Sequence, residues 1–344
     1  MAAQDEGAIP FSIAHDQQQF RLLELPPALL DLIASPDPPV LSIKSQAAPI
    51  PAGTPSSKPA YAVLCTSNKT FQLRQVQTSN SVFVTQPVYK AQDDDIALPG
   101  LAAIATCTAT LELHPVVGSA IPYLKSVLPV YDISEDITNA VGNSQSKSRL
   151  FLDIPLSDDE CEAGWQELVA FELDSSSFRP SAKTLLQIWQ SINAAALAEG
   201  ISLGSQFLTE NLHKAIEDEG YPPSLLNSLL GGLVAEDESF ISAWTCLDAK
   251  KCVRWVGKIV LEVKGGNSGL LTADFLDAWK DCLPEAWREE AELEAIHGSY
   301  VLPTSTTIAS KGDLENNEKE PSESSAKTAS SRKWHEKFAR ARRR

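Results

Sequence analysis

Alternating apolar and polar residues recur in short runs between residue 11 and about residue 115. In residues 106–114 every second side chain is apolar, so these side chains share one face of an extended chain: Cys107, Ala109, Leu111 and Leu113. A period of two predicts a half-buried strand. Phe71 and Leu73 alternate with polar residues in the same way. The polar cluster at residues 66–69 directly before them predicts the turn of a hairpin. Three further strands are predicted, at residues 20–25, 40–44 and 81–85.

Proline-rich and serine-rich stretches such as residues 49–59 separate these strands, a pattern typical of a barrel or a sandwich. A small set of strands with one apolar face leaves open edges and an incomplete core. We therefore expect a partner to complete this β region. The predicted partner-assembly face consists of Phe71, Leu73, Leu111 and Leu113.

After Pro115 the spacing of apolar residues lengthens to about 3.6, which predicts helices. Residues 157–160 read Ser-Asp-Asp-Glu, the pattern of a capping box at a helix start. A longer helix is predicted at residues 182–198, with Gly200 just beyond its end.

Two more helices are predicted at residues 206–219 and 224–230, followed by a strand at residues 239–247. Residues 252–263 are rich in β-branched side chains, but their apolar positions have helical spacing and predict a helix. Thr272 is predicted to cap the next helix. Groups of short helices followed by brief strands are typical of tandem winged-helix units.

The predicted fold class is mixed α and β, with an N-terminal β-barrel-like interaction domain followed by tandem α-rich winged-helix domains. Its predicted divisions are a disordered N-terminus at 1–10, a partner-assembly domain at 11–117, a linker with a short helix at 118–148, and winged-helix-like domains at 149–204, 205–248 and 249–344. The third of these is expected to be reduced. It contains a polar segment at 310–331 that is expected to be disordered, and it ends in a basic segment.

Charge restricts the possible partners. The 344 residues include 29 Lys and Arg against 45 Asp and Glu, a net charge of -16, so no global field attracts nucleic acid and any DNA contact must be local. Residues 332–344 are the exception, and Trp334 and Phe338 there are four residues apart, as on one helix face. The basic residues predicted to contact DNA or an acidic partner are Arg332, Lys333, Lys337, Arg340, Arg342, Arg343 and Arg344.

No pattern indicates an enzyme. The sequence has no phosphate-binding GxxxxGK[ST] loop, no GxSxG and no HExxH, so no catalytic residue, cofactor or metal is predicted. The six cysteines lack paired spacing and are expected to be buried thiols. Neither a secretory signal nor an apolar stretch of about 20 residues is present, which predicts an intracellular protein without a membrane span.

Several segments resemble a known family. They are VLCTSNKTFQLRQVQTSN at residues 63–80, TLELHP at 110–115 and the helix at 158–169, with weaker matches in later helices and in WHEKFARAR. The chain resembles the family of the "defective in sister chromatid cohesion" protein, in a fungal-type form, over nearly its whole length. That family comprises non-catalytic subunits of an alternative clamp loader built on replication factor C.

The resemblance implies a nuclear hetero-oligomer. In the family, the β region forms a barrel assembly with the small subunit and with the tail of the large subunit. The winged helices contact polymerase epsilon and can touch DNA weakly and locally. The complex loads or unloads PCNA, which this subunit would contact only indirectly, and supports DNA replication and sister chromatid cohesion.

Two alternatives stay open. A winged-helix DNA-binding regulator of transcription should carry positive charge on its recognition helices. Residues 224–230 have no basic side chain and residues 209–219 are net acidic, which disfavours this alternative. A hydrolase whose site assembles from distant residues is the second alternative, because no sequence pattern excludes it.

Overall fold

The computed structural model describes residues 9–45, 61–90, 98–133, 145–235, 243–265 and 270–311. The chain is mixed α and β and divides into two compact units. The first comprises Met1–Leu128, Asn143–Leu168 and Asp174–Ser177, and the second comprises Pro129–Gly142, Val169–Leu173 and Phe178–Arg344. No helix in the described part of the chain has the length and apolar character needed to cross a membrane.

A six-stranded sheet, curled into a half-barrel, forms the centre of the first unit. Its strands are β1 (Phe11–Ile13), β2 (Leu22–Leu23), β3 (Ser42–Ser45), β4 (Ala62–Cys65), β5 (Thr70–Lys90) and β6 (Leu98–Val116). Their order is β1-β6-β5-β4-β3, with β2 also beside β6. Both β1 and β2 run parallel to β6, whereas the other pairs are antiparallel. The prediction of a β-rich N-terminal region is confirmed.

The predicted turn at residues 66–69 joins β4 to β5. The Thr66 N–H donates to the Lys69 carbonyl at 2.9 Å, and the Lys69 N–H donates to the Thr66 hydroxyl at 2.9 Å. The predicted strands around Phe71 and at residues 81–85 are parts of one long strand, β5. A bulge between Gln77 and Val82 inserts extra residues without ending the pairing with β6, which is why the sequence read as two strands.

The predicted faces of residues 106–114 are confirmed only in part, because the residues of both faces from Ala109 to Glu112 are half-buried. Cys107 and Leu113 are buried, while Thr106 and Thr108 are exposed. The buried face continues towards the start of β6, where Ala103 contributes only a small side chain. The register follows from the pleat, which sends successive side chains to opposite faces.

Helices complete the first unit: α1 (Pro27–Ile33), α2 (Ile121–Val127), α3 (Lys147–Asp153) and α4 (Asp158–Glu167). The predicted capping box at the start of α4 is confirmed. The Ser157 side chain accepts from the Glu160 N–H, and the Glu160 side chain accepts from the Ser157 N–H.

The second unit is mainly helical. Its strands and helices are β7 (Val130–Tyr131), β8 (Phe171–Leu173), β9 (Ser176–Pro180), α5 (Ala182–Ala198), β10 (Phe207–Leu208), α6 (Thr209–Ala215), α7 (Pro223–Leu233), β11 (Trp244–Thr245), α8 (Ala249–Lys264), β12 (Leu270–Leu271), α9 (Thr272–Asp281), β13 (Tyr300–Val301) and β14 (Thr307–Ser310). The strand β9 begins in the first unit. Short 3-10 helices lie at Glu217–Glu219, Glu285–Glu290 and Leu293–Ile296.

One continuous apolar core runs through this unit, and two tryptophans lie fully inside it. The indole N–H of Trp189 donates to the Cys282 carbonyl at 2.8 Å, and that of Trp279 donates to the Val253 carbonyl at 3.0 Å. Both rings therefore fill the core without leaving a buried donor unsatisfied.

Two predicted helices have the expected course. The helix at 182–198 is confirmed with the same bounds as α5, and Gly200 follows it with a positive φ of 68°. The β-branched segment 252–263 is helical, within α8, because its apolar positions form one buried stripe against the core.

Three details of the prediction are wrong. Thr272 does not cap α9 but is its first residue, because pairing of Leu271 with Thr307 holds Leu271 extended as the N-cap. The helix predicted at 206–219 begins at Thr209, since the two residues before it pair with β11. Within the described residues the strand predicted at 239–247 is only Trp244–Thr245.

The winged-helix assignment and the domain boundaries stay predictions. Short helices and small sheets of two or three strands are present in the second unit, as that assignment requires. The predicted disordered segments at 1–10 and 310–331 lie almost wholly outside the described residues, and so does the basic segment.

Candidate partner-assembly surface

The predicted partner-assembly face divides into buried and half-buried residues. Phe71 and Leu113 are 5% and 7% exposed and form a small core with Leu29 of α1 and Leu64 of β4. Leu73 lies directly opposite Leu113 and packs against this core. Three of the four predicted residues are therefore brought together, and α1 of the same chain contributes to their cover.

Leu111, the fourth predicted residue, is placed differently. It lies opposite Gln75 on β5 and beside Leu23 on β2, and it is half-buried. It lines a shallow cavity of about 200 Å³ together with Phe20 and Cys107. Contact of any of the four residues with a partner stays a prediction.

An open strand edge lies on the opposite side of β5 from β6. The neighbouring strand β4 pairs with β5 only at residues 70–72. Along residues 73–90 no described strand pairs with that edge, although β6 pairs with the other edge over most of its length. Unpaired backbone N–H and C=O groups along such an edge can accept another strand.

Large apolar side chains are exposed along the same part of β5: Val76, Val82, Phe83, Val88 and Tyr89. The exposed Phe83 ring contacts the exposed Phe11 ring of β1 edge to face, with centroids 6.0 Å apart. Sequence reasoning missed this surface. The available signal was the β-branched and aromatic residues at 82–85, 88 and 89, together with the absence of glycine from residues 70–90.

A buried polar network attaches α4 to the sheet. The Glu160 carboxylate accepts hydrogen bonds from the Thr70 hydroxyl at 2.5 Å, the Ser157 hydroxyl at 2.7 Å and the Gly118 N–H at 3.1 Å. Burial of Glu160 opposes its ionisation, but these hydrogen bonds outweigh burial and lower its pKa. Glu160 is therefore held as a carboxylate.

Lys44 of β3 adds a second attachment. Its ammonium group is almost fully buried and donates to the carbonyls of Phe151 and Leu156, each at 2.8 Å. The Asp158 carboxylate lies 3.4 Å away. Because the sheet is braced in this way, β5 and β6 can project beyond β4 from a fixed base.

Within the described ranges the structure shows no group of His, Cys, Asp and Glu side chains able to hold a metal ion. The five described cysteines that are buried include Cys161 and Cys252. Burial raises the pKa of the Cys161 thiol to about 12, and it raises the pKa of the Cys252 thiol well above its usual range. Such thiols are poor nucleophiles.

The predicted DNA-contact residues lie outside the described residues: Arg332, Lys333, Lys337, Arg340, Arg342, Arg343 and Arg344. The structure shows a different basic feature, on α8. Lys250, Arg254 and Lys258 are exposed and spaced four residues apart, so they form one stripe on the helix.

A comparison with family models matches residues 20–316 to the family described as sister chromatid cohesion protein Dcc1. The chain belongs to the Dcc1 family. A relative in this family, the sister chromatid cohesion protein DCC1 of Saccharomyces cerevisiae, is 24% identical over 312 residues. That match covers 84% of this chain and 79% of the yeast protein. The matched region includes the six-stranded sheet from β2 onwards and nearly all of the second unit.

Proposed function

We propose that this Dcc1-family chain is a non-catalytic subunit of an alternative replication factor C clamp loader. In this proposal the first unit assembles with the small subunit and with the tail of the large subunit. The observation that carries it is the edge of β5 along which no described strand pairs and large apolar side chains are exposed. When a partner adds a strand to a sheet, hydrogen bonds between the backbones supply affinity and side-chain contacts supply specificity.

The aromatic pair is the proposed anchor of this surface. Phe11 and Phe83 are 55% and 44% exposed, although each would gain free energy on burial. Aromatic residues dominate the binding energy of many protein interfaces. Because β6 lies between β1 and β5, the two rings meet on one face of the sheet. A strand added beside β5 would extend the half-barrel, and the partner would also have to cover that face.

The wider role follows from family membership, which supports a function in sister chromatid cohesion. We propose that the complex acts in the nucleus, loads or unloads PCNA, and binds polymerase epsilon through the second unit. The hetero-oligomer would act in DNA replication, and this chain would contact PCNA only through the other subunits.

The test is co-purification of the full chain with the small subunit and the large subunit's tail. Phe83→Asp places a charge at the centre of the proposed interface and should weaken co-purification by at least about tenfold. Ser126→Asp is the control, since Ser126 is exposed on α2 and lies outside the proposed interface. Both variants should melt like the unsubstituted chain. Equal retention of the partners by both variants would contradict the proposal.

A local DNA contact is a second candidate function, and the basic stripe on α8 favours it. Arg254 Nε donates to the Ala295 carbonyl at 3.1 Å, which leaves Lys250 and Lys258 as the side chains best placed to reach phosphates. Such a contact needs no basic field over the whole protein. A clamp-loader subunit should bind DNA there with little sequence preference. A transcriptional regulator should instead favour one sequence by roughly a thousandfold or more, so a binding-site selection experiment separates the two alternatives.

A further inference from the structure

A cavity opens in the second unit between the end of α5 and the segment that follows α9. Its volume is about 380 Å³, and its lining is largely apolar, including Leu197, Ile201, Leu283 and Trp287. Leu197 is 85% exposed at the mouth of this cavity. A leucine so exposed beside an apolar cavity offers a surface for another apolar side chain.

One polar atom on the cavity wall has no hydrogen-bond partner. The Asn193 amide donates to the Cys282 carbonyl at 2.7 Å, which fixes the orientation of the side chain. Its Oδ1 atom is buried and accepts no hydrogen bond from any described residue. A ligand that brings a donor into this apolar cavity would satisfy that oxygen.

An acidic segment borders the cavity. Asp281 and Glu285 line the cavity together with the basic Arg288. Residues 281–294 contain six exposed carboxylates, and Arg288 is the single basic residue in that segment. No ion pair within the described part of the chain involves any of them: Asp281, Glu285, Glu289, Glu290, Glu292 and Glu294. A ligand that complements this surface would be cationic as well as apolar.

The end of the described chain lies beside this acidic segment. The Lys311 N–H donates to the Ser299 carbonyl at 3.2 Å, and the Ser299 N–H donates to the Ile296 carbonyl at 3.0 Å. Beyond Lys311, residues 312–333 lead to Trp334, and a chain of that length can extend to at most about 75 Å. The C-terminal segment can thus reach the cavity within the same molecule.

We propose that residues 332–344 dock in cis on this cavity, with Trp334 as the anchor. An indole fits an apolar cavity, and its single N–H is the donor that the Asn193 Oδ1 lacks. Phe338 would lie against Leu197 at the mouth. The segment has seven basic residues against the single acidic Glu336, so its charge is opposite to that of residues 281–294 beside the cavity.

In this proposal the acidic partner of the basic segment is residues 281–294 of the same chain. It does not depend on the clamp-loader assembly, since every residue that it uses belongs to the second unit or follows it. Tethering favours such a contact, because the segment and the cavity are held at high local concentration. The docked segment would be withheld from DNA until a competitor displaced it.

The test is limited trypsin digestion of the full chain, followed by intact-mass measurement of the products. The measured quantity is the ratio of two initial cleavage rates, that after Lys337 divided by that after Lys327. Lys327 lies outside the proposed contact and is the internal reference. Trp334→Ala and Leu197→Asp should each raise this ratio by about tenfold, because cleavage follows the undocked population. The double variant should cleave no faster than either single variant. High salt should also raise the ratio.

Matched controls are Thr328→Ala, outside the contact, and Leu302→Asp, which places the same charge on another exposed leucine. Both should leave the ratio unchanged. If Leu197→Asp has no effect, the segment does not bind this cavity and the proposal is wrong. Protection that grows with protein concentration would show docking between molecules, which also overturns the proposal in cis.

Discussion

The Thr70 hydroxyl donates a 2.5 Å hydrogen bond to the carboxylate of Glu160, a residue 90 positions further along the chain. The Ser157 N–H donates to the same threonine hydroxyl at 2.8 Å, and the Asp159 N–H donates to the Ser67 carbonyl at 3.0 Å. The hairpin turn and the start of α4 are thus one polar junction. This junction gives the Thr70 hydroxyl a structural role in the segment 63–80 that carries the family resemblance.

Replacing Glu160 with Gln should lower the free energy of unfolding at pH 7 by about 1–3 kcal/mol, because charge-assisted hydrogen bonds are lost. The folded-state pKa of Glu160 lies below its ordinary value of 4.5. Its stabilisation is therefore fully present above about pH 4.5 and is lost as the pH falls through the folded-state pKa.

Chemical denaturation of the full chain at a series of pH values measures this effect. The difference between the unsubstituted chain and Glu160→Gln should shrink below pH 4.5. Glu167→Gln is the control, since Glu167 is exposed near the end of α4. A difference that stays constant down to pH 3 would show that the Glu160 charge does not stabilise the junction.

Leu113→Asp should destabilise the first unit by several kcal/mol, because a charge would enter the small core formed with Phe71, Leu29 and Leu64. Leu111→Asp should cost less, since Leu111 is half-buried. Thr108→Asp, on the exposed face of β6, should be nearly neutral. Thermal unfolding ranks the three variants, and the reverse order would mean that the strand register is shifted by one residue.

Two helical glycines should respond to alanine in opposite directions. A Cβ at Gly257 in α8 would lie 2.6 Å from two ring atoms of Trp279, so Gly257→Ala should destabilise the core by about 1–3 kcal/mol. A Cβ at Gly232 in α7 meets nothing within 4 Å. Gly232→Ala should therefore stabilise the chain by up to about 1 kcal/mol, through helix propensity. Denaturant titration of both variants measures their free energies of unfolding. If Trp279 does not pack on α8, Gly257→Ala should not be destabilising.

The basic stripe on α8 predicts a change in the salt dependence of DNA binding. Replacing Lys250 and Lys258 with Ala in the assembled complex should reduce the log-log salt slope by up to about two units, one for each lost phosphate contact. Lys183→Ala, at an exposed position of α5, should leave the slope unchanged. An unaltered slope in the double variant would assign DNA binding to another surface.

The sequence by itself determined the local structure of this protein. The turn at residues 66–69, the capping box at Ser157 and the helical course of α8 are each specified by residues within a few positions of one another. Side chain to backbone hydrogen bonds and apolar periodicity act over that range. The mixed α and β class could therefore be inferred before any contact was known, and the resemblance of segments such as residues 63–80 indicated the family.

Only the tertiary structure decided which of these elements meet. Pairing with β6 joins two predicted strands into the single strand β5, and pairing with β14 takes the cap position from Thr272. The exposure of Phe83, the stripe on α8 and the cavity beside Leu197 likewise depend on which surfaces other elements leave uncovered. Those surfaces are set by packing between residues far apart in the chain, and no local pattern records that packing.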